Sequence, residues 1–146
     1  MTARAGAALY TPELLALAVS LADRPLDPAM PLGGEARSRT CGSTVRLTCA
    51  VDREGRLEGL GLQVAACAVG QAAAALFANA AAGADAVDLT RARQAIAAWL
   101  AGSAPLPDWP GLDVLAPARA HPARHGAVLL AWDAALAALS NAQAHG

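Results

Sequence analysis

The strongest constraint in this sequence is a change of hydrophobic period. From Val45 to Asp52, the residues Val45, Leu47, Cys49 and Val51 alternate with Arg46, Thr48, Ala50 and Asp52. Only an extended strand sends two such sets to opposite faces, one to a core and one to solvent. Asp52-Arg53-Glu54-Gly55 follows as a turn, with Gly55 available for positive φ. Leu60, Leu62 and Val64 then alternate again. Strands near 44–52 and 56–64 are therefore expected to pair as an antiparallel hairpin. The segment before Cys41, EARSRT, is a candidate for a third strand.

Beyond Val64 the spacing becomes helical. An Ala-rich segment from about Cys67 to Ala82 is stopped by Gly83, and a second runs from Asp88 as N-cap to Leu100, stopped by Gly102. Residues 103–121 are Pro-rich and read as a connection with one short helical turn near Leu112. A final helix is expected from Pro122 to about Asn141, burying Val128, Trp132, Ala135, Leu136 and Leu139. Ahead of the hairpin, Thr11 as N-cap, Pro12 at the first helical position and Leu14, Leu17, Ala18 and Leu21 on one face specify a helix ending near Asp23. Residues 24–34, with Pro25, Pro28, Pro31, Gly33 and Gly34, read as an irregular connector.

Strands first and helices after is an α+β order. The expected fold is a small antiparallel sheet of about three strands, with an N-terminal helix and several C-terminal helices packed on one face. A length of 146 residues suits one domain over 1–146. With five Trp, Tyr and Phe residues in all and 16% charged residues, the core must come from Ala, Leu and Val, which favours close helix packing.

Charge excludes several roles. The net charge is −1 and the eleven cations are all Arg, so there is no basic field to draw nucleic acid or an anionic membrane. The apolar start is interrupted by Thr11-Pro12 and Glu13, without a cleavage site, and reads as a capped helix and not a signal peptide. The most apolar window, 64–82, is mostly Ala with Gln71 and Asn79 inside it, too weak for a membrane span. A soluble, cytoplasmic protein is expected. Three cysteines, Cys41, Cys49 and Cys67, favour metal or sulfur chemistry over a disulfide framework.

Two of those cysteines stand at element junctions. Cys41, followed by Gly42, lies at the entry to the hairpin, and Cys67 lies where strand gives way to helix. Backbone N–H groups at a helix N-terminus stabilise a thiolate, the form that binds metal and carries sulfur. Cys49, on the apolar face of its strand, reads as core. His121 and His125, in HPARH, have the i, i+4 spacing of a two-histidine metal site, although His121 reads better as a cap before Pro122.

The stretch RTCGSTVRLTCAVDREGRLEGLGLQVAACAVGQAAAALF, together with the ending WPGLDVLAPARAHPARHGAVLLAW, resembles the iron–sulfur cluster scaffold family of IscU, SufU and NifU N-terminal domains. The family pattern is Cys-Gly-Asp, a hairpin, then Gly-Cys-Ala before a small-residue helix. In the SufU branch, the final helix opens with Pro-Ala-Arg, a cysteine and a Leu-Ala-Trp run. The resemblance covers about residues 8–139 and implies the IscU/SufU-like fold. It puts Cys41 and Cys67 on two of the family's ligand positions. Two other positions differ: Ser43 stands for the Asp, and Ala127 falls where the third thiol belongs. A [2Fe–2S] cluster and a structural zinc each take four ligands. The shortfall could be met by a second chain in a homodimer, by small thiols, by Ser43 as an oxygen donor, or by His125 with a shift of helix register. Arg124 shares the direction of Ala127 better than His125 does, and suits an anion.

The resemblance implies a scaffold that accepts sulfur from a cysteine desulfurase and holds a transient iron–sulfur cluster or a metal such as zinc through Cys41 and Cys67, passing it to recipient proteins. The missing donors leave two alternatives open. One is a binding or regulatory module of the assembly machinery that holds no cluster, and the other is a SufU-like zinc-dependent sulfur transferase. The chain lacks the Leu-Pro-Pro-Val-Lys sequence by which IscU-type members are recognised by their chaperone.

Overall fold

The computed structural model describes residues 9–39 and 42–145. Helix α1, Pro12–Ser20, forms as the sequence dictates: the Thr11 side chain accepts a 3.2 Å hydrogen bond from the Leu14 N–H, Pro12 opens the helix, and Leu14 and Ala18 are buried. A 3-10 turn, Leu21–Asp23, continues it.

The sheet has the order β1-β2-β3, all antiparallel. Strands β2, Thr44–Val51, and β3, Leu57–Ala65, are the expected hairpin. Their turn is held by the Asp52 carboxylate, which accepts from the Glu54 and Arg56 N–H groups, and by Gly55 at φ +80°. Val45, Leu47 and Cys49 enter the core as their alternation requires. On the opposite face Arg46 reaches across both neighbours, to Glu35 at 3.7 Å and to Gln63 at 3.3 Å.

The third strand, β1, runs Leu32–Arg37 and so begins inside the stretch expected to be irregular. The two glycines that argued against a strand there have a packing reason. A Cβ on Gly34 would collide with the backbone of Ala134 and Ala138 in the last helix, so the missing side chain lets that helix lie directly on the strand. Asn141 of the same helix donates a 3.0 Å hydrogen bond to the Gly33 carbonyl.

Helix α2, Ala68–Ala80, is followed by Gly83 at φ +86°. Helix α3, Ala86–Leu100, starts three residues before the expected point. Asp85 is the N-cap, and Asp88 is the reciprocal partner of a capping box, its carboxylate accepting from the Asp85 N–H. The Asp88 backbone N–H, with the hydrogen bonds around it, lowers the Asp85 pKa. The Pro-rich connection holds more structure than one turn: residues Leu112–Ala120 are 3-10 helix. Helix α4, His125–His145, is preceded by a 3-10 turn, Pro122–Arg124.

α2 and α4 meet at the centre of the core. Trp132 lies edge-on to Phe77 and to Trp109, while Phe77 and Trp109 stack with centroids 5.8 Å apart. The Trp109 indole N–H is satisfied by the Leu76 carbonyl at 2.8 Å. Around these rings the core is Ala, Leu and Val, as composition demanded. Among the described residues no helix is long and apolar enough to cross a membrane.

Candidate sulfur site

Strand register brings two chain connections to one end of the sheet. Arg37 pairs with Thr44, and Thr44 pairs with Ala65. The described ends of the 38–43 connection therefore lie beside the junction at which β3 passes through Ala66 and Cys67 into α2. The connection is closed by the Ser38 N–H donating to the Ser43 carbonyl at 2.8 Å, and Gly42 turns it at φ +70°. Ser43 is buried. Cys41 belongs to this connection and lies outside the described residues, so chain connectivity alone relates it to Cys67.

Cys67 is the N-cap of α2, with extended backbone and no hydrogen bond from its side chain to the helix. The thiol is free and half-buried. Gln71 fixes the junction twice: its N–H donates to the Cys67 carbonyl at 3.0 Å, and its side-chain amide donates to the Ala66 carbonyl at 3.0 Å.

Facing this thiol is a cation. The Arg124 guanidinium interacts with the Cys67 side chain, and its Cζ lies 5.6 Å from the centroid of the Tyr10 ring. The Cys67 interaction, with lesser help from Tyr10, raises the Arg124 pKa above its ordinary value. Arg124 is the last residue of the turn before α4. One turn further along, Ala127 is 2% exposed and packs on α2: a Cβ built on Gly70 would lie 3.2 Å from the Ala127 Cβ. The position that the resemblance gives to a third thiol thus carries a methyl group, set against the first turn of the helix that Cys67 caps.

The other candidates fall elsewhere. His125 directs Nε2 at the carbonyls of Ala118 and Arg119, 3.1 and 3.2 Å away, and ties the start of α4 to the preceding 3-10 segment. His121 forms no side-chain cap, contrary to the sequence expectation: its backbone carbonyl, not its imidazole, accepts from the Arg124 N–H at 2.9 Å. Cys49 is fully buried, and desolvation pushes its pKa up to about 11, so it is a core side chain.

Among the described residues no three His, Cys, Asp or Glu side chains come together as a metal-binding group. A resident four-coordinate metal does not fit the donors these residues present. What they present is one accessible thiol with a guanidinium beside it, an arrangement suited to holding negative charge on sulfur. Tyr10 and Gln71 escaped the sequence reading. Tyr10 immediately precedes the Thr11 cap with no pattern that marks it, and nothing in the spacing of Gln71 distinguishes it from an ordinary polar helix residue.

Neither a protein-family model nor a curated protein matches the chain. Solved structures do. A nitrogen-fixing NifU-like protein (N-terminal) from Brucella abortus is 27% identical, covers 95% of this chain and 97% of its own, and superposes with a TM-score of 0.85. A putative iron–sulfur cluster assembly scaffold protein for the SUF system from Fervidobacterium islandicum AW-1 is 16% identical over 90% of this chain and 96% of its own, with a TM-score of 0.77. At that identity the second likeness speaks for the fold alone. In fold the chain is thus similar to a NifU-like N-terminal protein and to a SUF-system scaffold, as the resemblance of its sequence implied.

Proposed function

We propose that the protein serves iron–sulfur cluster assembly as a scaffold-like sulfur acceptor in the cytoplasm, with Cys67 as the receiving thiol and Cys41 as the second thiol of the site. The observation that carries this reading is the half-buried Cys67 thiol at the head of α2, next to the Arg124 guanidinium. Accepting one sulfur atom needs one thiol, whereas holding a cluster or zinc within one protomer needs donors that Ala127 does not supply. The Cys67 sulfur attacks the terminal sulfur of a persulfide on a cysteine desulfurase. The donor's S–S bond breaks, a new one forms on Cys67, and the Cys67 proton leaves with the departing donor thiolate. Electrons balance within the exchange. A cluster, where one is assembled, is cargo for a recipient protein and would draw further ligands from a second copy or from small thiols.

A second reading is favoured by Ala127 and Ser43 together: a binding or regulatory module that docks on the assembly machinery without carrying sulfur. A zinc-dependent transferase, the third reading, would need a tetrahedral donor set completed from outside the described residues.

Anaerobic reconstitution with iron, cysteine and a cysteine desulfurase separates them. Sulfur on the re-isolated protein, lost in Cys67→Ser, supports the acceptor, and a charge-transfer spectrum would extend it to cluster holding. A colourless, sulfur-free protein that still binds the desulfurase, unaffected by Cys67→Ser or Cys41→Ser, supports the module.

A further inference from the structure

Resting on the sulfur-acceptor reading, we infer that Arg124 supplies the positive charge that anionic sulfur on Cys67 requires, so that sulfur is held there without a metal. The protein's own donors argue for this division of labour. At the end of the sheet where Cys67 stands, the helix turn that opens α4 presents a guanidinium to the sulfur, and the next turn presents only the Ala127 methyl, packed towards Gly70. His125, the nearby imidazole, is committed to the Ala118 and Arg119 carbonyls. Asp85, Asp88 and Asp133 belong to the α3 cap and to the Arg93 ion pair. Among the described residues, the cation that interacts with the Cys67 sulfur is thus the Arg124 side chain.

Arg124 is also built to stay in place. Its backbone N–H bonds the His121 carbonyl at 2.9 Å, and its guanidinium lies over the Tyr10 ring, which directs the planar fork and leaves its N–H edge for an acceptor. The terminal sulfur of a persulfide carries negative charge and accepts hydrogen bonds, and a persulfide extends one S–S bond beyond the thiol that Arg124 faces. A guanidinium can follow that displacement through its second nitrogen. A lysine ammonium would offer charge without the fork. Arg124 is thus a positioning residue for the sulfur cargo, and the exchange itself remains at Cys67.

The test loads sulfur chemically, so that it does not depend on any partner. Full-length protein carrying Cys41→Ser is freed of metal with a chelator and treated with inorganic polysulfide. The Cys67 persulfide is then followed by mass spectrometry. The expected result is a persulfide that forms and persists in the metal-free protein, decays about tenfold faster with Arg124→Gln, as for loss of one charge-assisted hydrogen bond, and is partly restored with Arg124→Lys. Thermal unfolding of the same variants shows whether the fold is kept. The inference is overturned if Arg124→Gln retains the persulfide as long as the parent, or if loading requires added zinc. Persulfide that is Arg124-dependent after polysulfide, yet never acquired from a desulfurase, would sustain this inference and refute the acceptor function.

Discussion

Ala127 lies with its methyl group towards Gly70, close enough that a Cβ on Gly70 would stand 3.2 Å from the Ala127 Cβ and 2.8 Å from that of Ala66. This contact sets how tightly the start of α4 approaches the start of α2, and with it the placement of Arg124 beside Cys67. Gly70→Ala is expected to cost about 1–3 kcal/mol through overpacking, opposed by the roughly 1 kcal/mol that Ala gains over Gly inside a helix. Urea unfolding measures the balance. An increase in stability would show that the two helices can separate at no cost.

The same contact makes the lost donor restorable. Ala127→Cys combined with Ser43→Asp returns the side chains that the scaffold resemblance assigns to these positions. The double variant is expected to bind zinc where the parent does not, read by competition with a chromophoric chelator. Equal zinc uptake by parent and variant would mean that the parent already completes a metal site by other means.

Gly34→Ala tests the α4–β1 contact. Its Cβ would meet backbone atoms of Ala134 and Ala138, which cannot rotate away. A loss of about 3 kcal/mol or more is expected, at the upper end for overpacking, whereas the same change at Gly33, whose Cβ would have only the Leu47 carbonyl oxygen 3.7 Å away, should be mild. Comparing the two unfolding midpoints checks this.

Cys49 gives a pH dependence. Burial raises its folded pKa from the ordinary 9.0 to about 11, so the fold favours the neutral thiol. The sign follows: this contribution is fully present below pH 9 and is lost as pH rises from about 9 to about 11, by roughly 2–3 kcal/mol in total. Cys49→Ala should flatten that part of the stability curve relative to the parent. In the native parent at neutral pH, iodoacetamide should spare Cys49 and modify it only after denaturant is added. A Cys49 that reacts as quickly in the folded chain would contradict its burial.

Trp132 is fully buried, and its indole N–H finds no acceptor among the described residues. Trp132→Phe keeps an aromatic ring against Phe77 and Trp109 while removing the orphan donor, so it is expected to cost far less than Trp132→Ala, for which about 3–5 kcal/mol is typical. Equal losses would show that the indole N–H has a partner.

Much of this architecture is written locally in the chain. Alternation from Val45 to Val51, the Asp52–Gly55 turn, the Thr11-Pro12 start and the stop at Gly83 each depend on neighbours within a few residues, and period, capping and φ preference are local properties. The junction position of Cys67 was legible for the same reason, as was the burial of Cys49. Other features had no local signal. The second half of β1 falls in the stretch expected as a third strand, but its first half reads as a connector because two glycines disfavour a strand; only α4, lying across Gly34 from about a hundred residues away in sequence, gives them a purpose. The N-cap of α3 moved from Asp88 to Asp85 because both carboxylates take part in the capping box, and sequence does not say which is first. At the candidate site the chain by itself determined which donors exist, two thiols at junctions with Ser43 and Ala127 at the other two positions of the family resemblance. Tertiary packing decided what stands beside Cys67, because Arg124 comes to it from the start of α4 with Tyr10 behind its guanidinium, and contacts between distant elements leave no period for a sequence to show.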